Sequence, residues 1–162
     1  MKRTVSLLLF TVICILTLAS CKREVRMEHC ELGILLTSEF EPYDTDGTFD
    51  VAYTDGELIV GMSRVSYPAG LEDGIASTLT ARAFAALYAE RSGRGDEAIF
   101  DYGDCAYFSY VGAANRNIYR YTHTFYKTPY AYFVISFISS EGGVWSVEDT
   151  LKLTDRVYLI NV

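Results

Sequence analysis

From Glu31 onward, short apolar runs are separated by Gly, Asp, Asn and Pro, a pattern that predicts a mostly β protein. Glu31 to Leu36 reads as a first strand, and Phe40 to Gly47, with Pro42 and Asp44-Thr45-Asp46-Gly47, as a turn region. Phe49 to Thr54 alternates, with Phe49, Val51 and Tyr53 on one face. Thr54-Asp55-Gly56 turns it into a return strand over Glu57 to Tyr67. Pro68 to Asp73 reads as a loop. The period changes once, at Thr80 to Ser92: Phe84, Leu87 and Tyr88 fall at helical spacing among five alanines, with Thr80 as N-cap and Gly93 just past the end.

The period of two then returns. Ala98 to Tyr102, Cys105 to Val111, Ile118 to Tyr126 and Ala131 to Ser139 read as a meander, with Gly112 to Asn117 as a connecting loop. Tyr119, Tyr121, His123 and Phe125 share one face of their strand, and Phe133, Ile135 and Phe137 share a face of the next. The opposite faces are mixed rather than polar, so the sheet is expected to be covered on both sides. Gly142-Gly143 breaks the chain. Ser146 caps a second helix reaching about Asp155, and Val157 to Asn161 is a last short strand.

The N-terminus follows neither pattern. Met1-Lys2-Arg3 is basic, and Thr4 to Thr17 is uncharged and too short for a comfortable transmembrane helix. It ends in Leu18-Ala19-Ser20-Cys21, an aliphatic residue, two small residues and a cysteine, which resembles the lipobox of bacterial lipoprotein precursors. The resemblance implies cleavage before Cys21, diacylglycerol on its thiol, and attachment to the extracytoplasmic face of the cell membrane. Two or three long chains on one cysteine exceed the threshold for stable anchoring. The expected organisation is a signal peptide over 1–20, a short tether over 21–29 and one domain over 30–162.

Composition narrows the function classes. The chain has 162 residues, 13 of them Tyr and 9 Phe, and a formal charge of −7. Five of the 14 basic residues and two of the 21 acids lie within the first 29 positions, which leaves 9 basic against 19 acidic residues in the domain. That balance argues against nucleic acid, whose phosphates need a basic stripe. Of four cysteines, Cys14 leaves with the signal and Cys21 carries lipid. In an oxidising compartment Cys30 and Cys105 can form a disulfide, with two free thiols as the alternative.

No catalytic or metal motif stands out, and no cofactor is expected. His29 and His123 are the only histidines, without metal-ligand spacing. As a base, His123 would need a nucleophile, for which Ser109, Ser136 and Tyr121 are in reach, and an orienting carboxylate. Asp44-Thr45-Asp46-Gly47 fails the calcium-loop pattern, and Gly61-Met62-Ser63-Arg64 lacks the second glycine of a nucleophile elbow. Tyr43, Tyr67, Tyr102 and Tyr130 fall at predicted turns and loops, where rigid amphipathic rings suit an interface.

The order of elements resembles the PsbP-like group. That group includes an extrinsic subunit of photosystem II, a Ran-binding import factor and small exported lipoproteins. The resemblance is carried by Phe49-Asp50-Val51-Ala52-Tyr53, Leu58-Ile59-Val60-Gly61-Met62-Ser63-Arg64, the helix Ala81 to Arg91, the strand Tyr119 to Tyr126 and the strand Ala131 to Phe137. It implies an α/β fold with a largely antiparallel sheet of six to eight strands flanked by two helices. The known members of the group are mostly non-enzymatic binding or assembly proteins; together with the lack of a catalytic constellation, the loop tyrosines and the anchor, this gives the expectation of a non-catalytic binding or assembly module acting on another envelope protein. The alternatives are a receptor for a small or apolar ligand held between sheet and helix and, further off, a hydrolase.

Overall fold

The computed structural model describes residues 24–160. The expected signal segment and Cys21, the cysteine of the lipobox-like stretch, lie outside them. The fold is α/β, with ten strands in two antiparallel sheets and three helices among the described residues. In chain order they are β1 (Val25–His29), β2 (Leu32–Leu36), β3 (Glu41–Pro42), β4 (Val51–Thr54), β5 (Leu58–Ser66), α1 (Tyr67–Glu72), α2 (Ala81–Arg91), β6 (Phe100–Tyr102), β7 (Cys105–Ala114), β8 (Asn117–Lys127), β9 (Ala131–Ser140), α3 (Val147–Thr154) and β10 (Val157–Leu159).

The large sheet has seven strands in the order β3-β4-β5-β9-β8-β7-β6, and the small one has three in the order β1-β2-β10. β9 lies at the centre, paired to β5 and β8 along nearly its whole length. Its register sorts the side chains into two cores. Phe133, Ile135 and Phe137 pack with Val60 and Met62 against the small sheet, meeting Met27, Ile34 and Leu36. Tyr132 and Val134 face the other way, with Phe125 and Phe108, toward Phe84, Ala85 and Ala89 of α2. Both faces of the large sheet are therefore covered, as the lack of a polar face predicts. The cover differs between them: α2 on one side, the small sheet with α3 on the other. Glu31 and Arg64 tie the two sheets through a forked pair, with Nε donating to Oε2 at 2.8 Å and an Nη to Oε1 at 2.6 Å.

Several expectations are corrected. The tether over 21–29 is in large part a strand: β1 pairs antiparallel with β2, and Met27 is fully buried. Val25, Met27 and His29 alternate with Arg26 and Glu28, so this stretch has the period of a half-buried strand. The expected loop after Tyr67 opens with α1, whose first turn is set by Pro68 and by Ser66, which accepts from the amide of Ala69. The loop over 112–117 contracts to a tight hairpin. β7 and β8 pair as far as Ala114 and Asn117, and Asn115 and Arg116 turn between them with φ of 49° and 67°. Positive φ at both central residues is the type I′ geometry that matches strand twist. β3 begins inside the predicted turn region.

Because β1 carries part of the core, we expect Met27→Ala to destabilise the full-length chain by about 2–4 kcal/mol in chemical denaturation, the range for a buried large-to-small change. A change below about 0.5 kcal/mol, the size of an ordinary surface substitution, would mean that the strand does not hold this position.

Candidate functional site

The α2-facing side of the large sheet is covered unevenly. Phe84 of α2 stacks on Tyr132 with ring centroids 4.4 Å apart and meets Phe125 edge-on at 5.8 Å. Further along, the loop before β4 folds Phe49 flat onto Gly61, where any Cβ would overlap the ring. Between Phe49 and the C-terminal end of α2 the sheet stays open. A cleft of about 280 Å³ lies there, lined by Phe49, Tyr88, Tyr110, Tyr121, His123 and Ser136 among others. Its volume is at the small end of ordinary ligand pockets, which start near ~300 Å³.

The strand pairings assemble this floor. Tyr110 faces Tyr121 across β7 and β8, and His123 faces Ser136 across β8 and β9. Tyr110 and Tyr121 stack at 4.9 Å, nearly parallel at 12°, and Tyr88 of α2 tilts over His123 at 5.6 Å. The Arg94 guanidinium lies 4.1 Å from the centre of the Tyr110 ring, within cation–π range. His123 Nδ1 and Ser136 Oγ share a hydrogen bond of 2.8 Å.

Apart from Arg94 at its edge, the cleft is lined by uncharged side chains. Burial alone depresses the His123 pKa to about 4, so the imidazole is neutral near pH 7. Burial raises the phenol pKa values of Tyr88 and Tyr110, the latter opposed by Arg94, so these rings also stay uncharged. No carboxylate contributes to the shift on His123. Of the nucleophiles in reach from the sequence, Ser136 alone bonds it. Ser109 is across the sheet, bonded to Thr122 at 3.1 Å, and the Tyr121 ring is 6.5 Å from the imidazole. A neutral histidine beside a serine, without an acidic partner to orient it, is arranged to donate and accept hydrogen bonds.

The remaining sequence candidates scatter. Cys30 and Cys105 are free thiols, the first exposed and the second buried. Cys30 Sγ lies 3.7 Å from Nε2 of His29, and Cys105 donates to the carbonyl of Tyr102 at 3.1 Å. Burial raises the Cys105 pKa, so it remains a thiol. Asp44 Oδ1 accepts from the amide of Asp46, which closes a turn. Among the described residues no three His, Cys, Asp or Glu side chains group to hold a metal ion. Tyr43 and Tyr130 are exposed, Tyr67 packs edge-on against Tyr132, and Tyr102 borders a second cleft on the opposite side of the sheet. The loop tyrosines are thus dispersed. The clustered ones are Tyr88, Tyr110 and Tyr121; sequence reasoning weighed Tyr121 only as a nucleophile for His123 and did not single out Tyr88 or Tyr110 as site residues. Their signal was the pairing of Tyr-rich faces on two neighbouring strands.

The buried, neutral His123 sets a pH dependence. Its folded pKa of about 4 lies below the ordinary 6.5, so below pH 6.5 the unfolded chain binds a proton that the folded chain does not. Stability is then lost as pH falls from 6.5 toward 4, by roughly 3 kcal/mol over the whole window. In His123→Gln that component should vanish. Equal slopes of unfolding free energy against pH in the two proteins would contradict the assignment.

No protein-family description matches the sequence, and no curated protein matches it. Among solved structures, the chain is similar to a crystal structure of a protein from Bacteroides thetaiotaomicron, with a TM-score of 0.58 and 12% identity. The alignment covers 84% of this chain and 48% of that one, so the chain spans about half the length of that protein. At such identity the likeness is one of fold.

Proposed function

We propose that this chain is a non-catalytic binding module, held at the extracytoplasmic face of a bacterial cell membrane by lipid on Cys21, and that its receptor site is the cleft between α2 and the large sheet. The observation that carries the reading is the makeup of that cleft. Flat rings of Tyr88, Tyr110 and Tyr121 form its walls and floor, with hydroxyl groups and a neutral histidine between them. Rings bind flat apolar faces, and uncharged donors and acceptors fix orientation without repelling a neutral guest. The ligand class is therefore a small, neutral, ring-shaped molecule bearing hydroxyl groups. The PsbP-like order of elements supports a binding role. A hydrolase is disfavoured, because nothing acidic orients His123 toward Ser136. An envelope protein as partner is the second reading. It draws support from the exposed Tyr43 and Tyr130 and from the cleft beside Tyr102.

Saturation-transfer NMR on the full-length chain in detergent, against a panel of monosaccharides and simple phenols, tests the site. At least one class should give a saturable response that falls about tenfold in Tyr121→Ala, in line with losing one well-packed aromatic contact. Identical responses in the two proteins would remove the cleft from the proposal. The anchor is tested separately: Cys21→Ser should move the protein from the membrane to the soluble fraction, and a variant that still sediments with membrane would refute the lipid attachment.

A further inference from the structure

A second surface, on the opposite side of the large sheet, has a different chemistry. β10 is the end strand of the small sheet, and its outer edge borders a cleft of about 480 Å³. Register fixes which backbone groups face that cleft. Tyr158 pairs with Gly33, the carbonyl of Arg156 accepts from Leu35, and the amide of Ile160 donates to Glu31. The Arg156 carbonyl, Tyr158 and the Ile160 amide thus face β2, while the Arg156 amide donates to the carbonyl of Leu153 in α3. In an antiparallel pair the alternate positions aim outward. The N–H and C=O groups of Val157 and Leu159 therefore face the open edge, where no described residue pairs with them.

Charge and burial add to this. Asp104 and Asp155 both border the cleft. Lys127 borders it too, but its amine is drawn away: it donates to the carbonyl of Leu79 at 2.8 Å and lies 5.8 Å from the Tyr132 ring. The mouth is therefore acidic. Tyr126 also lines the cleft. It is buried, at 8% relative exposure, and its hydroxyl is sealed from the surface beside Cys105, Thr124 and Thr154, so the ring gives the cleft an apolar floor rather than an open polar group.

We propose that the edge of β10 is a docking strand for an extended, basic polypeptide segment, which pairs its backbone with Val157 and Leu159 and sets its cationic side chains against Asp104 and Asp155. Strand addition of this kind takes affinity from main-chain hydrogen bonds and specificity from alternate side chains. The surface is separate from the α2 cleft, and neither proposal depends on the other.

The test is a peptide titration of the full-length chain in detergent, read by NMR shifts and by isothermal calorimetry. The probes are a blocked pentapeptide alternating lysine and valine, the same peptide with glutamate for lysine, and two backbone N-methylated forms of the lysine peptide. One form is methylated on the lysines and the other on the valines. The lysine peptide should bind saturably, at or below about 1 mM. The glutamate peptide should bind at least about tenfold more weakly, and so should the lysine peptide to the double variant Asp104→Lys, Asp155→Lys. Because one edge of a strand uses only alternate amides, one methylated form should lose binding and the other should keep it. Leu159→Pro should abolish binding, since proline removes an outward amide that an edge strand can spare. The proposal is overturned by no saturable binding at millimolar peptide, by equal binding of the lysine and glutamate peptides, or by equal binding of both methylated forms.

Discussion

β9 must be buried on both faces, and the rest of the fold follows from that requirement. Phe133, Ile135 and Phe137 point one way, Tyr132 and Val134 the other, and all five are at or below 3% exposure. At about 25 cal/mol for each square ångström of apolar surface removed from water, leaving either face open would forfeit several kcal/mol, a large share of a domain's net stability. A strand of this kind needs layers above and below it. The small sheet with α3 provides one, and α2 the other.

The two layers do not cover equally. At ~1.5 Å per residue, the eleven-residue α2 is about 16 Å long, and seven strands at ~4.8 Å spacing extend about 29 Å from first to last. One helix of that length leaves part of the face bare. Small alanines at 85 and 89 let α2 sit close over β7 and β8, and Phe49 lies on Gly61 at the other end of the face. The gap between them is floored by tyrosine and histidine rather than by aliphatic side chains. Such rings tolerate partial exposure, because each has an apolar body and a polar edge. The cleft is thus a geometric remainder of covering a wide sheet with a short helix.

Much of this was legible in the chain. The period-two runs gave the strands of the meander, the single stretch of helical spacing gave α2, and the mixed opposite faces of β8 and β9 announced cover on both sides. Three features were hidden for physical reasons. β1 carries the right alternation, Val25, Met27 and His29 against Arg26 and Glu28, but it follows so closely on the lipobox-like stretch that its residues read as a tether. α1 contains Pro68 and Gly70, which read as loop residues until Ser66 is seen to cap the first turn. The β7–β8 turn uses Asn115-Arg116 in place of Asn-Gly, so a non-glycine residue takes a left-handed conformation that the tight pairing on either side enforces. The sites were hidden more deeply. No local pattern reports that a helix stops short of covering a sheet, or that the end strand of a second sheet is left unpaired.

The position of β1 also bears on how the domain would sit if Cys21 carries lipid as proposed. A tether of nine residues would let the domain turn freely beside the membrane. With the fold beginning at Val25, three residues separate the lipidated cysteine from that strand, a span of about 13 Å at most at full extension. Glu24 is itself held by Arg156 at 2.5 Å, next to β10, which shortens the free segment further. On that proposal the anchor would join the chain on the small-sheet side, while the α2 cleft opens on the layer beyond the large sheet. That order sets the two surfaces apart in what they could meet. The edge of β10 belongs to the layer that lipid on Cys21 would hold at the membrane. The neutral aromatic cleft lies on the opposite layer, where a small solute can reach it without approaching the acidic rim of the first.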